Sequence, residues 1–196
     1  MKFVIGIGNP GRQYEKTRHN IGFRTVDGLM RIWSQTPGQA VRWRIDRGLS
    51  AEVAEFSHAV LLKPQTFVNL TGTTIAGLLR QGRGIAELLV ICDDANLEFG
   101  QMRIRPSGSA GGHHGLESAI EAAGSEEFAR LRIGVGNESM GRDLAQFVLG
   151  EFDGREQKAM PLIVDRAVAA CDAWISNGYK AAADYLSRQG LIQKGE

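Results

Sequence analysis

The side chains most able to do chemistry in this 196-residue chain are a few histidines, amides and carboxylates set near apolar runs and glycine turns. His19 stands in Thr17-Arg18-His19-Asn20, shortly after the run Phe3–Ile7 and the turn Gly8-Asn9-Pro10-Gly11. Imidazole changes charge nearest to neutral pH, which suits it to take a proton from water as a general base. Asp93 closes the most hydrophobic run, Leu88–Cys92, in Cys92-Asp93-Asp94. A carboxylate there can bind a ring nitrogen, fix its tautomer and stabilise the imidazolium, although an aspartate at a strand end is also an ordinary turn residue. Asn9 and Asn69 carry amide donors suited to a developing oxyanion. Thr66 explains the helix start in Pro64-Gln65-Thr66-Phe67-Val68-Asn69 as a cap, but leaves Asn69 unexplained. Gly111-Gly112-His113-His114-Gly115 precedes a helical pattern, where free backbone N–H groups favour anions. No serine or cysteine stands out as a nucleophile, and Cys92 reads as a core thiol.

These residues need a scaffold, and the hydrophobic pattern supplies one. Lys2–Gly8, Leu88–Cys92 and Leu131–Val135 read as buried strands, and Gln101–Arg105 alternates as a half-exposed one. Trp43–Ile45, Ala51–Phe56 and Ala59–Leu62 are short strands whose clustering suggests an antiparallel portion. Helical spacing covers Ile21–Trp33, Phe67–Leu79, Leu116–Ala123, Asp143–Leu149 and most of Asp153–Ser187, where Pro161 either starts or kinks a helix. Ser107–Gly115 is a loop between a strand and a helix. The alternation predicts a single-domain α/β sandwich over residues 1–188, with a central mixed, mostly parallel twisted sheet flanked by helices. Residues 189–196 read as a polar tail.

Bulk composition narrows the function classes. The hydrophobic content of 43% can fill one sizeable core. With 23 basic and 22 acidic residues, the net charge of +1 excludes a globally basic nucleic-acid binder, so any anion recognition must be local. The 2 cysteines, Cys92 and Cys171, match no metal-ligand spacing and read as reduced thiols. No apolar stretch approaches a membrane span, and Met1 leads directly into a strand, so a cytoplasmic protein without a signal peptide or membrane association is expected.

Gly6-Ile7-Gly8-Asn9-Pro10-Gly11 matches the GxGxxG dinucleotide fingerprint in letters only. That fingerprint requires a helix opening across the turn and an acidic residue ending a second strand. Here the polar stretch Arg12–Lys16 follows, and Asp27 falls inside a helical pattern. A tight strand exit explains the glycines better, though not Asn9.

Taken together, GIGNPG with Tyr14 and TRHN, then KPQTFVNLTG, CDD, GSAGGHHGLES, LRIGVG and FVLGEF resemble bacterial peptidyl-tRNA hydrolases from Phe3 to about Tyr185. The resemblance implies an α/β enzyme with a mixed sheet that cleaves the ester between a peptide and the 3′-terminal ribose of tRNA, without metal or other cofactor. It implies His19 as general base, Asp93 as its orienting partner, and Asn9 near the ester, where it distinguishes N-blocked from free aminoacyl groups. Asn69 would hold the water or the peptide backbone, Tyr14 and Phe67 the terminal nucleotide and peptide, and His113 would lie beside the cleft. The implied partner is peptidyl-tRNA, met at its 3′ CCA end, acceptor stem and 5′-phosphate, by a monomer. A non-catalytic RNA-binding relative, like the plastid splicing factors related to this family, is the alternative, although no site residue looks disabled.

The chain departs from the family pattern at three places. His114 stands where the family carries a substrate-binding asparagine, and one imidazole tautomer cannot offer an amide's paired donor and acceptor. Cys92 replaces a common histidine, and Val68 a common methionine. Strand alternation puts Arg103 and Arg105 on one face, and Arg130 and Arg132 on one face. If the two strands are neighbours, four guanidiniums converge near the His113–Leu116 helix start. The resemblance assigns Arg105 and Arg132 to the tRNA 5′-phosphate, and a solvated strand face is the plain alternative.

Overall fold

The computed structural model describes residues 1–35, 41–138, 140, 141 and 143–189. Among them, β1 (Lys2–Gly6) leads through two 3₁₀ turns, Arg12–Tyr14 and Arg18–Asn20, into α1 (Ile21–Trp33). Then come β2 (Arg44–Asp46), β3 (Ala51–Glu55), β4 (Ala59–Pro64), a 3₁₀ turn at Val68–Leu70 and α2 (Gly72–Arg80). β5 (Leu88–Glu98), β6 (Met102–Arg105), α3 (His114–Ala123), β7 (Ala129–Gly136), α4 (Leu144–Leu149) and α5 (Gly154–Gln189) complete the chain. The strands form one 7-stranded sheet in the order β2-β3-β4-β1-β5-β7-β6. β4-β1-β5-β7 is parallel, β2 and β3 join antiparallel at one edge, and β6 pairs antiparallel with β7 at the other. The expected mixed, mostly parallel sheet is the one observed.

Two apolar layers cover the sheet because the central strands are apolar on both faces. Val4, Leu89 and Ile91 face a core that also takes Val26 and Leu29 of α1 and Ile163, Ala167 and Trp174 of α5. Phe3, Ile5, Val90 and Cys92 face the opposite core, with Ile75 and Leu78 of α2 and Leu116 and Ala119 of α3. One close approach sets the start of α1. A Cβ on Gly22 would lie 2.4 Å from the Ile7 carbonyl oxygen, and one on Gly6 would lie 2.4 Å from the Gly22 carbonyl oxygen. The helix start therefore lies flush against β1, which is how the chain just before it reaches the sheet's carboxyl end.

Several expected elements differ in detail. Phe67–Leu79 is not one helix, because a 3₁₀ turn at Val68–Leu70 precedes α2. β5 does not end at Asp93-Asp94 but continues to Glu98, with a register shift against β7 between Asp94 and Glu98. α5 starts at Gly154 and runs past Pro161, and its backbone breaks instead at Gly178, whose φ of 79° suits glycine. Gln189 closes that helix, and the rest of the polar tail lies outside the described residues. No helix among the described residues is long and apolar enough to cross a membrane.

Candidate active site

The carboxyl ends of β1, β4 and β5 open into one cleft, where crossovers leave to opposite sides of the sheet and α/β folds commonly bind ligands. A cavity of about 310 Å³ lies there, lined by Asn9, His19, Phe67, Asn69, Asp93, Asp94, Asn96, His113, His114 and Arg132. Leu144, Ala145, Val148 and Leu149 of α4 form its apolar wall.

Strand alternation delivers the acid. Leu89 and Ile91 face the α1 side of the sheet, so Asp93 turns toward the point where the chain enters α1. There His19 Nδ1 lies 2.7 Å from Asp93 Oδ1. His113 Nε2 reaches the same oxygen at 3.1 Å. The two rings sit 5.2 Å apart, centroid to centroid.

His113 has a second task that fixes its tautomer. It caps α3, and its Nδ1 accepts from the backbone N–H groups of Gly115 (3.1 Å) and Leu116 (3.2 Å). A nitrogen that accepts is bare, so the ring proton sits on Nε2 and is donated to Asp93. His19 donates from Nδ1, which leaves its Nε2 as an acceptor without a partner among the described residues, and the side chain lines the cleft. The trio His19, Asp93 and His113 is compact enough to suggest a metal site. A metal on His113 Nε2 would displace that proton while Nδ1 still faces two backbone donors, so the donor set suits a hydrogen-bonded cluster instead.

Asp93 is 2% exposed. Burial alone would push its carboxyl up, but the neighbouring His113 and His19 rings, both within hydrogen-bond distance of Oδ1, hold it well below the usual carboxylate range. It is an anion wherever the protein is folded near neutral pH. Burial pushes both cysteine thiols far up, which agrees with the expectation of inert core residues.

Asn9 is positioned by Asn20, whose part in the site the sequence pattern does not mark. Asn20 Oδ1 accepts from the Asn9 N–H at 2.8 Å, and Asn20 Nδ2 donates to the Asn9 carbonyl at 2.9 Å. Asn9 Oδ1 then accepts from the Val68 N–H at 3.0 Å, which orients the amide. Its Nδ2 has no protein partner among the described residues, and the side chain lines the cleft. Asn69 is exposed, lines the cleft and is likewise without a hydrogen bond among the described residues.

The remaining expected residues are more dispersed. Phe67 lines the cavity and is 55% exposed. Tyr14 meets Phe67 edge-on at 6.3 Å but is not part of the lining. His114 lines the mouth, exposed, with its Nδ1 2.9 Å from Glu117 Oε2. Arg105 is exposed on β6 outside the cavity.

The four arginines do pair across neighbouring strands, Arg103 with Arg132 and Arg105 with Arg130. Four free guanidiniums do not result, and that expectation is corrected. Arg130 is 1% exposed and donates to the carbonyls of Gly108, Glu126 and Phe128. Arg132 donates to Asp94 Oδ2 (3.2 Å) and to the carbonyls of Ser109 (2.9 Å) and Ala110 (2.8 Å). Both hold the glycine-rich loop that presents His113. The carbonyls of Gly108, Ser109 and Ala110 thus find side-chain donors where the loop passes over this face.

With this geometry in view, the comparisons are specific. The peptidyl-tRNA hydrolase family model matches residues 3–193. The chain belongs to the peptidyl-tRNA hydrolase family. Among its relatives, the peptidyl-tRNA hydrolase of Gloeobacter violaceus is 40% identical over 191 residues, covering 96% of this chain and 95% of that protein. That of Desulforudis audaxviator is 45% identical over 175 residues, covering 87% and 86%. A crystal structure of peptidyl-tRNA hydrolase from Acinetobacter baumannii superposes with a TM-score of 0.82 at 26% identity, over 95% of this chain and 94% of that one. The peptidyl-tRNA hydrolase fold is thus shared along nearly the full length, and the cleft described above is built on it.

Proposed function

We propose that the protein hydrolyses the ester between a peptide, or an N-blocked amino acid, and the 3′-terminal ribose of tRNA. The observation that carries this reading is the His19–Asp93 hydrogen bond, with the second His19 ring nitrogen and the Asn9 and Asn69 amide N–H groups in one cleft without hydrogen-bond partners among the described residues. Water held near His19 Nε2 attacks the ester carbonyl carbon as the ring takes its proton. Asp93 stabilises the resulting imidazolium, and the Asn9 Nδ2 group donates to the oxygen on which negative charge develops. The tetrahedral species collapses, the ribose oxygen leaves with the proton returned by His19, and free peptide acid and tRNA result. Preformed hydrogen bonds to His19 and Asn9 mean that little reorganisation is needed as charge develops. Release of N-acetyl amino acid from N-acetyl-aminoacyl-tRNA tests the proposal, and tRNA binding without release supports the RNA-binding alternative instead.

Asn9 lies deep in the cleft, where it can meet the acyl group's first amide as well as the ester. Asn9→Ala is expected to weaken discrimination against free aminoacyl-tRNA more than it lowers turnover of the blocked substrate. Comparing kcat/KM for the two substrates measures this, and an unchanged ratio would remove the role.

The tRNA body is met by the exposed cations of β6. Arg105, with Arg103 beside it, is available to the 5′-phosphate, whereas Arg132 is largely committed to Asp94 and the loop carbonyls. Arg105→Ala is expected to raise KM several-fold with little change in kcat, and to reduce the salt slope of binding by about one unit. Binding titrations across salt concentrations measure it, and an unchanged slope would exclude Arg105 as a phosphate contact. Monomeric state and a cytoplasmic location remain part of the proposal.

A further inference from the structure

Arg18, the residue next to His19, is a buried cation with partners far along the chain. Its Nη2 lies 2.7 Å from Glu156 Oε2, in a pair whose side chains are only 7% and 6% exposed. Its Nη1 donates to the Glu151 carbonyl at 2.5 Å, and its backbone N–H donates to the Gly150 carbonyl at 3.0 Å. The guanidinium also lies over the Phe147 ring of α4 at 4.4 Å and near Phe152 at 5.3 Å. Glu156 accepts in addition from Asn137 Nδ2 (2.6 Å) and the Asp153 N–H (2.7 Å).

One short 3₁₀ turn therefore reaches in three directions. Arg18 holds α4 and the first turn of α5, His19 holds Asp93, and Asn20 holds Asn9. The face of α4 turned from Arg18 is the apolar wall of the cleft, through Leu144, Ala145, Val148 and Leu149. A buried ion pair is weak evidence for stability, since apolar residues of similar volume often serve as well. Its fork geometry and charge do fix the relative placement of the segments it joins.

We propose that Arg18 and Glu156 are positioning residues for hydrolysis, setting the α4 wall at a fixed distance from the His19–Asp93 pair. The inference rests on the hydrolase reading above. Without the pair, the wall and the base lose the side-chain part of their common anchor and keep the backbone links of Arg18 to Gly150 and of Thr17 to Glu151, and a misplacement of about 1 Å can cost about 10²-fold in rate.

The test compares Glu156→Gln and the apolar double variant Arg18→Met/Glu156→Leu with the wild type on N-acetyl-aminoacyl-tRNA. Asp172→Asn serves as a control, because Asp172 accepts from Trp33 Nε1 at 2.9 Å and so fastens α5 to α1 away from the cleft. All are assayed at a temperature where circular dichroism shows them folded. The positioning role requires kcat to fall about tenfold or more in Glu156→Gln. The double variant must show the same loss even where its Tm is restored, while Asp172→Asn lowers Tm and leaves kcat within twofold. A folded Glu156→Gln or double variant with kcat within twofold of the wild type overturns the proposal, and Glu156→Gln decides alone if the double variant does not fold. No release by the wild type overturns the hydrolase reading and this inference together, whereas failure of the inference alone leaves the wild type active.

Discussion

His19→Ala is expected to lower kcat about 10²–10⁴-fold while leaving the affinity for tRNA within about twofold. The substitution removes the general base and nothing that meets the tRNA body. Asp93 keeps His113 as a donor in this variant, so its charge is not stranded in the protein interior. The fold should survive, since the imidazole, 14% exposed, sits at the cleft and belongs to neither apolar core. Single-turnover release measured beside a tRNA-binding titration separates the two effects. Near-normal turnover would remove His19 from the chemistry, and a parallel loss of binding would make it a substrate ligand instead.

Asp93→Asn is expected to lower kcat by up to about 10⁴-fold, the loss found when the carboxylate of a histidine–carboxylate pair is replaced by its amide. An amide at this place is neutral, so it cannot stabilise the imidazolium that forms on His19. Both rings donate to the one oxygen Oδ1, which an asparagine carbonyl can still supply, so the expected loss comes from the missing charge. The stability effect has a defined pH dependence. The folded carboxyl is held below its unfolded value, so its contribution is complete above the ordinary aspartate range, near about 3.9. It fades as pH falls through the lowered folded value. The wild type should thus exceed Asp93→Asn in stability at pH 7, and the gap should narrow steadily below about pH 4. Denaturant unfolding at a series of pH values measures this. A gap that widened toward acid pH would mean that the carboxyl is not held ionised by its two partners.

Much of this site could be read from residue type and order. α1 was legible because its apolar spacing and its boundaries coincide, and the observed helix is Ile21–Trp33 as expected. The His19–Asp93 pairing was implied by the family resemblance, and its physical basis is that the parallel neighbours β1 and β5 bring their carboxyl ends together. Asn20 was less visible, although it adjoins His19. Its value depends on the return of the chain from Arg12–Tyr14 to within 2.8 Å of Asn9, which local pattern does not encode. The second duty of His113 was hidden for the same reason, because capping α3 and meeting Asp93 require two elements to be placed first.

Arg130 shows where alternation misleads. Its parity with Arg132 holds, but parity says nothing about what covers a strand face. The Gly108–Ala110 backbone folds over this one and turns a cation expected to converge with three others near the start of α3 into an internal clasp. Asp94 shows the complementary limit. The apolar run ended at Cys92, yet pairing with β7 carried β5 to Glu98, since backbone hydrogen bonds hold a strand beyond the reach of its hydrophobic signal. The bulge that follows brings Ala95 and Asn96 to the cleft rim, where neither composition nor motif had marked them.

The most direct measurement is a single-turnover assay with wild-type enzyme in excess over N-acetyl-aminoacyl-tRNA labelled in the acyl group, run beside His19→Ala. The expected result is complete release of N-acetyl amino acid and intact deacylated tRNA by the wild type, with the release step slowed at least about 10²-fold in the variant. Tight binding of the tRNA with no release by the wild type, or equal release by both proteins, would contradict hydrolysis by His19.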